Sequence, residues 1–398
     1  MLPEATTTAS GVAAPASPRQ RLGIVSDDNL SLYGVMLATA AIWLVFQILT
    51  DRLFLTPINL SNLARQTAVL GVAAAATSLV IIMGEFDLAI GAAQALTTSI
   101  FGVLLINHGW SVPAAIALTV VVGVGLGLLE GLLIVSLSRL GFSVASFIIT
   151  LGGMLAYGGL ALLVLPESIS PMPRAISRLN VDAIPARLAL PAIVVLALLL
   201  AYPRLLRLAR RRSTLAHEAS ALIVIAVVAG VFCYVAAGRG LPILLVITLA
   251  CAAFLDYLTQ ATIFGRHMYA IGGNRPSARL VGIRVGRTIL ISFAVLGAFY
   301  GLLGILSAAR LNAAVPSVGR TLALQAIASA AIGGVSLVGG RGRPSQALLG
   351  ALVISSLANG LQLLNVLSLW QDIMSGVVLV LAVFFDVFVR NRPRGARG

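Results

Sequence analysis

Apolar stretches of about twenty residues recur from Ser31 almost to the C-terminus, separated by short polar links. In lipid a chain must satisfy every backbone N–H and C=O within itself, so only helices and closed barrels cross a bilayer. The ten-residue alternating strands of a membrane barrel are absent. The expected fold is therefore all-α, a polytopic helical membrane protein. Composition agrees: 59% of residues are hydrophobic, 10% are charged and mean hydropathy is +1.03.

Twelve spans can be drawn (10–12 if the interrupted helices count once). They run at about Ser31–Leu49, Thr67–Met83, Leu88–Ile106, Pro113–Leu137, Val144–Leu165, Leu188–Tyr202, Ala221–Ala237, Pro242–Phe264, Thr288–Ala309, Leu322–Val338, Pro344–Leu364 and Trp370–Val389. Residues 1–29, rich in Ala, Thr, Ser and Pro, read as a disordered tail without the apolar core of a signal peptide. Residues 30–389 read as one membrane domain, and 390–398 as a basic tail. With the N-terminus in the cytoplasm, inside links collect 19 of the 27 arginines and outside links 8. This asymmetry places both termini inside. It also assigns the formal charge of +14 to arginine in cytoplasmic loops rather than to nucleic acid.

All 27 basic residues are arginine, so the lysine of a phosphate-binding Walker loop is missing. No Ser/His/Asp set, paired catalytic carboxylates or metal-ligand spacing occurs, and no catalytic residue, metal or cofactor is expected. The two cysteines, Cys233 and Cys251, sit in apolar runs as free thiols. His108, His217 and His267 stand far apart, near span ends.

Three polar interruptions carry the functional content. Gly265–Arg287 holds five arginines between two spans. Asn274 is a good N-cap, Pro276 suits a first turn and Gly282 suits a helix end. Pro276, Leu280 and Ile283 would form an apolar stripe. On pattern alone the segment is a solvated connecting loop or a short helix that docks on a partner. The other two are helix breaks, near 84–91 and 333–344. Both place glycines between apolar halves, and Gln-Ala-Leu follows each, as in parallel repeats.

Asp87, with Glu85 before it, is a carboxylate at membrane depth; it either caps the following helix or serves transport or gating. Glu130 lies among Gly125, Gly127 and Gly131, as expected of close helix packing with a polar partner. Asp256 and Asp386 would pair with arginine or reach the interface. Gln94, Gln325, Asn359 and Gln362 lie on polar faces of three spans, where amides hydrogen-bond between helices or line a path for an uncharged polar solute.

GEFDLAIG (84–91) resembles the G-x-x-D-L-S-V-G element of monosaccharide ABC-importer permeases of the ribose/xylose/galactose group. GRHMYAIGGNRPSARLVGI (265–283) is similar to that group's cytoplasmic coupling segment, and IGGVSLVGGRG (332–342) with ALLGALVISSLANGLQLL (347–364) resembles its C-terminal half. The resemblance covers about Phe54–Leu165 and Gly240–Arg390. Residues 187–238 then read as a two-span insertion, similar to xylose-type permeases. Where the group often shows Glu-x-Asp before the tenth-span glycines, this chain has Ala323 and Gln325.

The resemblance implies a permease for a monosaccharide, a pentose such as xylose, in the inner membrane. It further implies a second permease copy, a separate ATP-binding cassette ATPase, a sugar-binding protein and membrane lipid as partners. Docking of residues 265–287 on the ATPase would involve Gly273, Asn274, Ala278, Arg279, Leu280 and Gly282. Asp87, Gln94, Gln325, Asn359 and Gln362 would serve the solute path or its gating. The other readings are a permease for a nucleoside or autoinducer sugar, a proton-driven secondary transporter, and a scaffold protein that needs no helix breaks.

Overall fold

The computed structural model describes residues 27–139, 146–209 and 215–367, with parts of 369–380. Most of the expected N-terminal tail, Arg210–Arg212, most of the last span with Asp386, and the basic tail lie outside the described residues.

In chain order the helices are α1 (Asp27–Leu49), α2 (Pro57–Ile82), α3 (Ile90–Gly102, extended by a π-turn at Val103–Asn107), α4 (Val112–Arg139) and α5 (Ser146–Val164). Then come α6 (Arg174–Val181), α7 (Ala186–Ala209), α8 (Leu215–Arg239), α9 (Ile243–Ala261) and α10 (Ile263–Gly273). The last are α11 (Arg275–Leu280), α12 (Val285–Leu311), α13 (Leu322–Ile332) and α14 (Pro344–Leu363). Two residues before α7, Ala183–Ile184, pair antiparallel with Leu241–Pro242 after α8 and tie the ends of that helix pair together.

Among the described residues nine helices are long and apolar enough to cross a membrane, and Gly34–Leu49 and Leu322–Ile332 are shorter apolar helices. The chain is a multi-pass membrane protein. α13 does not reach the expected end at Val338. Its 11 residues rise about 16 Å, half of the roughly 30 Å hydrocarbon core. α2 begins at Pro57 rather than Thr67, because Thr56 caps it and Pro57 occupies the first turn.

Burial sorts the helices. The most apolar window of α2 is 89% buried inside the protein, whereas those of α7 and α8 are 6% and 11% buried. Small residues at 73–76 let neighbours approach α2 from every side, and α9, α12, α13 and α14 surround it. α7 and α8 pack on one another at the edge and present Leu198, Leu199 and Val227 outward, toward lipid.

α4 crosses α12 with the backbones close together. A Cβ at Gly127 would stand 2.1 Å from the Phe293 carbonyl oxygen, and one at Gly123 would stand 2.4 Å from that of Gly297. Glycines four apart on both helices (Gly123, Gly127 and Gly131; Gly297 and Gly301) let the backbones touch. This crossing sets Glu130 of α4 against Tyr300 of α12.

Both breaks start with the same turn. After α2, Gly84 N–H donates to Ile81 O and Glu85 N–H to Val80 O; after α13, Gly334 donates to Ala331 O and Val335 to Ala330 O. Gly84 (φ 77°) and Gly334 (φ 95°) take the left-handed position of this Schellman cap. The two breaks meet: Gly340 N–H donates to Ile82 O at 2.8 Å. α10 and α11 lie at this end of the bundle, and the start of α2 and the ends of α12 and α14 lie at the other.

Candidate functional site

At the end away from the breaks is a cavity of about 310 Å³, lined by Asn59, Asn62, Arg65, Gln66, Asn180, Arg310, Asn359, Gln362 and Leu363. The first turns of α2 and the last turns of α14 supply most of it. Asn59 Nδ2 donates to Asn359 Oδ1 and Gln66 Nε2 to Gln362 Oε1, each at 2.8 Å. Arg65 Nε and Asn180 Oδ1 are buried without a partner. The wall thus offers amides and two guanidinium groups, with no carboxylate. That donor set suits hydroxyl-rich or anionic solutes and disfavours cations.

Of the expected path residues, only Asn359 and Gln362 meet here. Gln94 is buried and donates to the Ser307 hydroxyl, leaving its Oε1 unpartnered. Gln325 is half-buried on α13. Asn59, Asn62, Arg65 and Gln66 were hidden in a stretch read as a link. Thr56-Pro57, a capping residue followed by a first-turn proline, was the available signal that a helix starts there.

Asp87 lies in the first break, fully buried. Its Oδ1 accepts the Ala89 N–H at 2.7 Å, two residues on; Ala89 itself is the N-cap of α3, which has no side-chain cap, so the contact tightens the turn before the helix instead of capping it. Its Oδ2 is 2.8 Å from the Tyr300 hydroxyl, which is also 2.9 Å from Glu130 Oε2. The Tyr300 hydroxyl is thus the shared neighbour of both carboxyl groups. Glu130 therefore has the polar partner its glycine setting suggested, and that partner is Tyr300. Sequence could not select Tyr300, because nothing local distinguishes it from a packing aromatic. α5 holds the same break from the other side: Phe86 N–H donates to Ser146 Oγ at 2.9 Å and Leu88 N–H to Thr150 Oγ1 at 3.1 Å.

The polar segment 265–287 forms α10, a sharp turn and α11. Asn274 caps α11 by accepting the Ser277 N–H at 2.9 Å, and Pro276 lies in its first turn. Gly282 (φ 85°) ends it, with its N–H on Arg279 O. The expected stripe of Pro276, Leu280 and Ile283 does not form. Leu280 and Val281 are 88% and 77% exposed, Ile283 packs on the core, and Ala278 is buried within this chain. A helix this short turns too little to hold one stripe, and it anchors through Ala278 instead. Ala278 therefore faces inward; Gly273, Asn274, Arg279, Leu280 and Gly282 are exposed. α11 is also joined to the first break, because Arg275 forms an ion pair with buried Glu85. Among the described residues Asp256 forms no ion pair with arginine; its Oδ1 accepts the Ser345 N–H at 2.9 Å, in the first turn of α14. No group of three or more His, Cys, Asp or Glu side chains placed to hold a metal occurs among the described residues.

The family described as branched-chain amino acid transport system / permease component matches residues 59–383. The xylose transport system permease protein XylH of Escherichia coli (strain K12) is 35% identical over 374 residues, covering 92% of this chain and 93% of that protein. The XylH of Haemophilus influenzae is 35% identical over 371 residues, 90% of this chain and 96% of that protein. The ribose import permease protein RbsC of Bacillus subtilis (strain 168) is 31% identical over 337 residues, 84% of this chain and 86% of that protein. No solved structure matches the chain.

Proposed function

The chain belongs to the permease components of the branched-chain amino acid transport system family, and from that premise we propose that it is the transmembrane subunit of an ATP-driven importer for a monosaccharide, a pentose such as xylose. The observation that carries the reading is similarity along nearly the whole chain to permeases named for xylose and ribose. Residues 187–238, inserted relative to shorter permeases, form the edge pair α7–α8 on the lipid side.

In this reading the arginine balance puts both termini and α10–α11 in the cytoplasm, and the amide-lined cavity faces outward. A sugar released by a binding protein enters there, where Asn59, Asn359, Gln66 and Gln362 exchange bonds with each other for bonds to hydroxyls. Gln94, Gln325 and Asp87 act deeper, in the path or its gating. A second permease copy completes the pathway. ATP is hydrolysed on a separate ATPase subunit, which grips the exposed Leu280–Val281 tip with Arg279 and the Gly273–Asn274 turn. The chain itself needs no cofactor.

The test is uptake of labelled xylose into proteoliposomes. Accumulation that requires ATP, the ATPase and the binding protein is expected; no ATP-dependent uptake would overturn the proposal. The buried Asp87–Tyr300–Glu130 set favours one second reading, a proton-driven transporter. Uptake driven by a proton gradient without ATP would select it.

A further inference from the structure

Two carboxylates in the first break point in opposite directions. Glu85, 4% exposed, meets Arg275 of the surface helix α11. Asp87, fully buried two residues later, meets Tyr300 of α12, which in turn meets Glu130 of α4. Two sets of side-chain contacts, Arg275–Glu85 and Asp87–Tyr300–Glu130, run from the surface to the interior and are joined by the backbone between Glu85 and Asp87. Only Phe86 separates Glu85 from Asp87, so a displacement of one carboxylate is carried to the other. Beyond the α2 cap, the Phe86 and Leu88 N–H groups are held by the hydroxyls of Ser146 and Thr150 rather than by a helix ladder.

α10–α11 also join the apolar core through Met268, Ile271 and Ala278, and meet the end of α2 by backbone contact at glycine. A Cβ at Gly272 would stand 1.9 Å from Ile82 O and 2.5 Å from Gly340 N. The glycine contacts fix the position of the turn. The charged series reaches the interior, because Glu85 and Asp87 are both buried and each has its partner on a different helix.

We propose that Glu85 and Tyr300 are positioning residues that transmit movement of α11 through the 84–89 break to α12 and α4. This rests on the reading of α10–α11 as the ATPase-facing segment. It goes further in naming the side chains that carry the movement inward. Glu85 acts as the receiver and Asp87–Tyr300 as the link to the helices that flank the interior.

The experiment uses the complete complex of permease, ATPase and binding protein in proteoliposomes. E85Q, Y300F, their combination, and the charge exchange E85R/R275E are compared. The first readout is sugar moved per ATP hydrolysed. E85Q and Y300F are each expected to lower it about tenfold, with basal ATP hydrolysis retained. The combination should lose no more than either alone, because both cut one series. The charge exchange should recover most of the E85Q loss. Wild-type stoichiometry in both single variants, or losses that multiply in the combination, would overturn the proposal.

The second readout does not depend on the sugar. With Cys233 and Cys251 replaced by serine, Asn62→Cys at the far cavity is labelled with an impermeant maleimide, with and without a non-hydrolysable ATP analogue. The analogue should change the labelling rate in the otherwise unaltered protein and leave it unchanged in E85Q and Y300F. An equal change in all three would overturn the proposal. Failure of pentose uptake with an intact labelling response would count against the sugar reading alone. If E85Q does not assemble, Y300F, which removes one oxygen only, carries both readouts.

Discussion

The breaks after α2 and after α13 begin alike and are filled differently. Each helix ends in an isoleucine, Ile82 or Ile332, and each uses a glycine at the left-handed position of the same cap. Beyond that point the first break carries Glu85 and Asp87, both buried and both partnered on other helices. The second carries no carboxylate and continues through three more left-handed glycines, Gly339, Gly340 and Gly342. It is held by backbone: Gly340 N–H on Ile82 O, Ser336 N–H on Arg341 O, and the Gly342 carbonyl accepting the Tyr269 hydroxyl at 2.6 Å. One turn type thus supports a charged connection in one half of the molecule and a close-packed backbone joint in the other. The shared turn extends the weak sequence similarity of the two breaks to their backbone; the difference suits one break to transmitting movement and the other to anchoring it.

Substitutions can separate these two modes. The largest effect is expected at the joint. Gly272→Ala forces a methyl group into the Ile82 carbonyl and should cost about 3 kcal/mol, read as a fall in the thermal midpoint of the purified protein in detergent. Next comes the charged break. Tyr300→Phe strips Asp87 and Glu130 of their common partner and should cost about 2 kcal/mol in the same assay. Gly84→Ala and Gly334→Ala should each cost about 1 kcal/mol and match one another, since each asks alanine to adopt the same left-handed conformation. A large mismatch between them would break the equivalence of the two turns. Leu280→Asp should be smallest, within about 0.5 kcal/mol, because the side chain stands in solvent. The same variant should nevertheless lose co-purification with the ATPase; retained co-purification would show that the α11 tip is not the gripping surface.

Much of this architecture was legible before any coordinates. The apolar runs marked the helices, and the glycine clusters marked both breaks. Asn274, Pro276 and Gly282 bounded α11 where local capping rules put them. The motif resemblance of 84–91, 265–283 and 332–364 to sugar permeases agrees with the similarity to XylH and RbsC. What was less legible depended on direction. In a helix only two turns long, periodicity could not say whether Ala278 or Leu280 faces inward. A span defined by hydropathy could not distinguish the half-length α13 from a full crossing, since glycines and valines beyond Ile332 are as apolar as the helix itself.

Hydropathy and capping act within a few residues of one another, so the sequence by itself determined an all-helical membrane protein, its two interruptions and the short capped helix between its halves. Which polar groups meet depends on how helices far apart in the chain are rotated and how closely they approach. Only the tertiary structure decided that Tyr300 joins Asp87 to Glu130, that Arg275 reaches Glu85, and that the start of α2 and the end of α14 close one amide-lined cavity. The physical reason is the glycine-lined contact of α4 with α12 and the burial of α2 on every side. These fix helix rotations to which a linear pattern of apolar residues is blind.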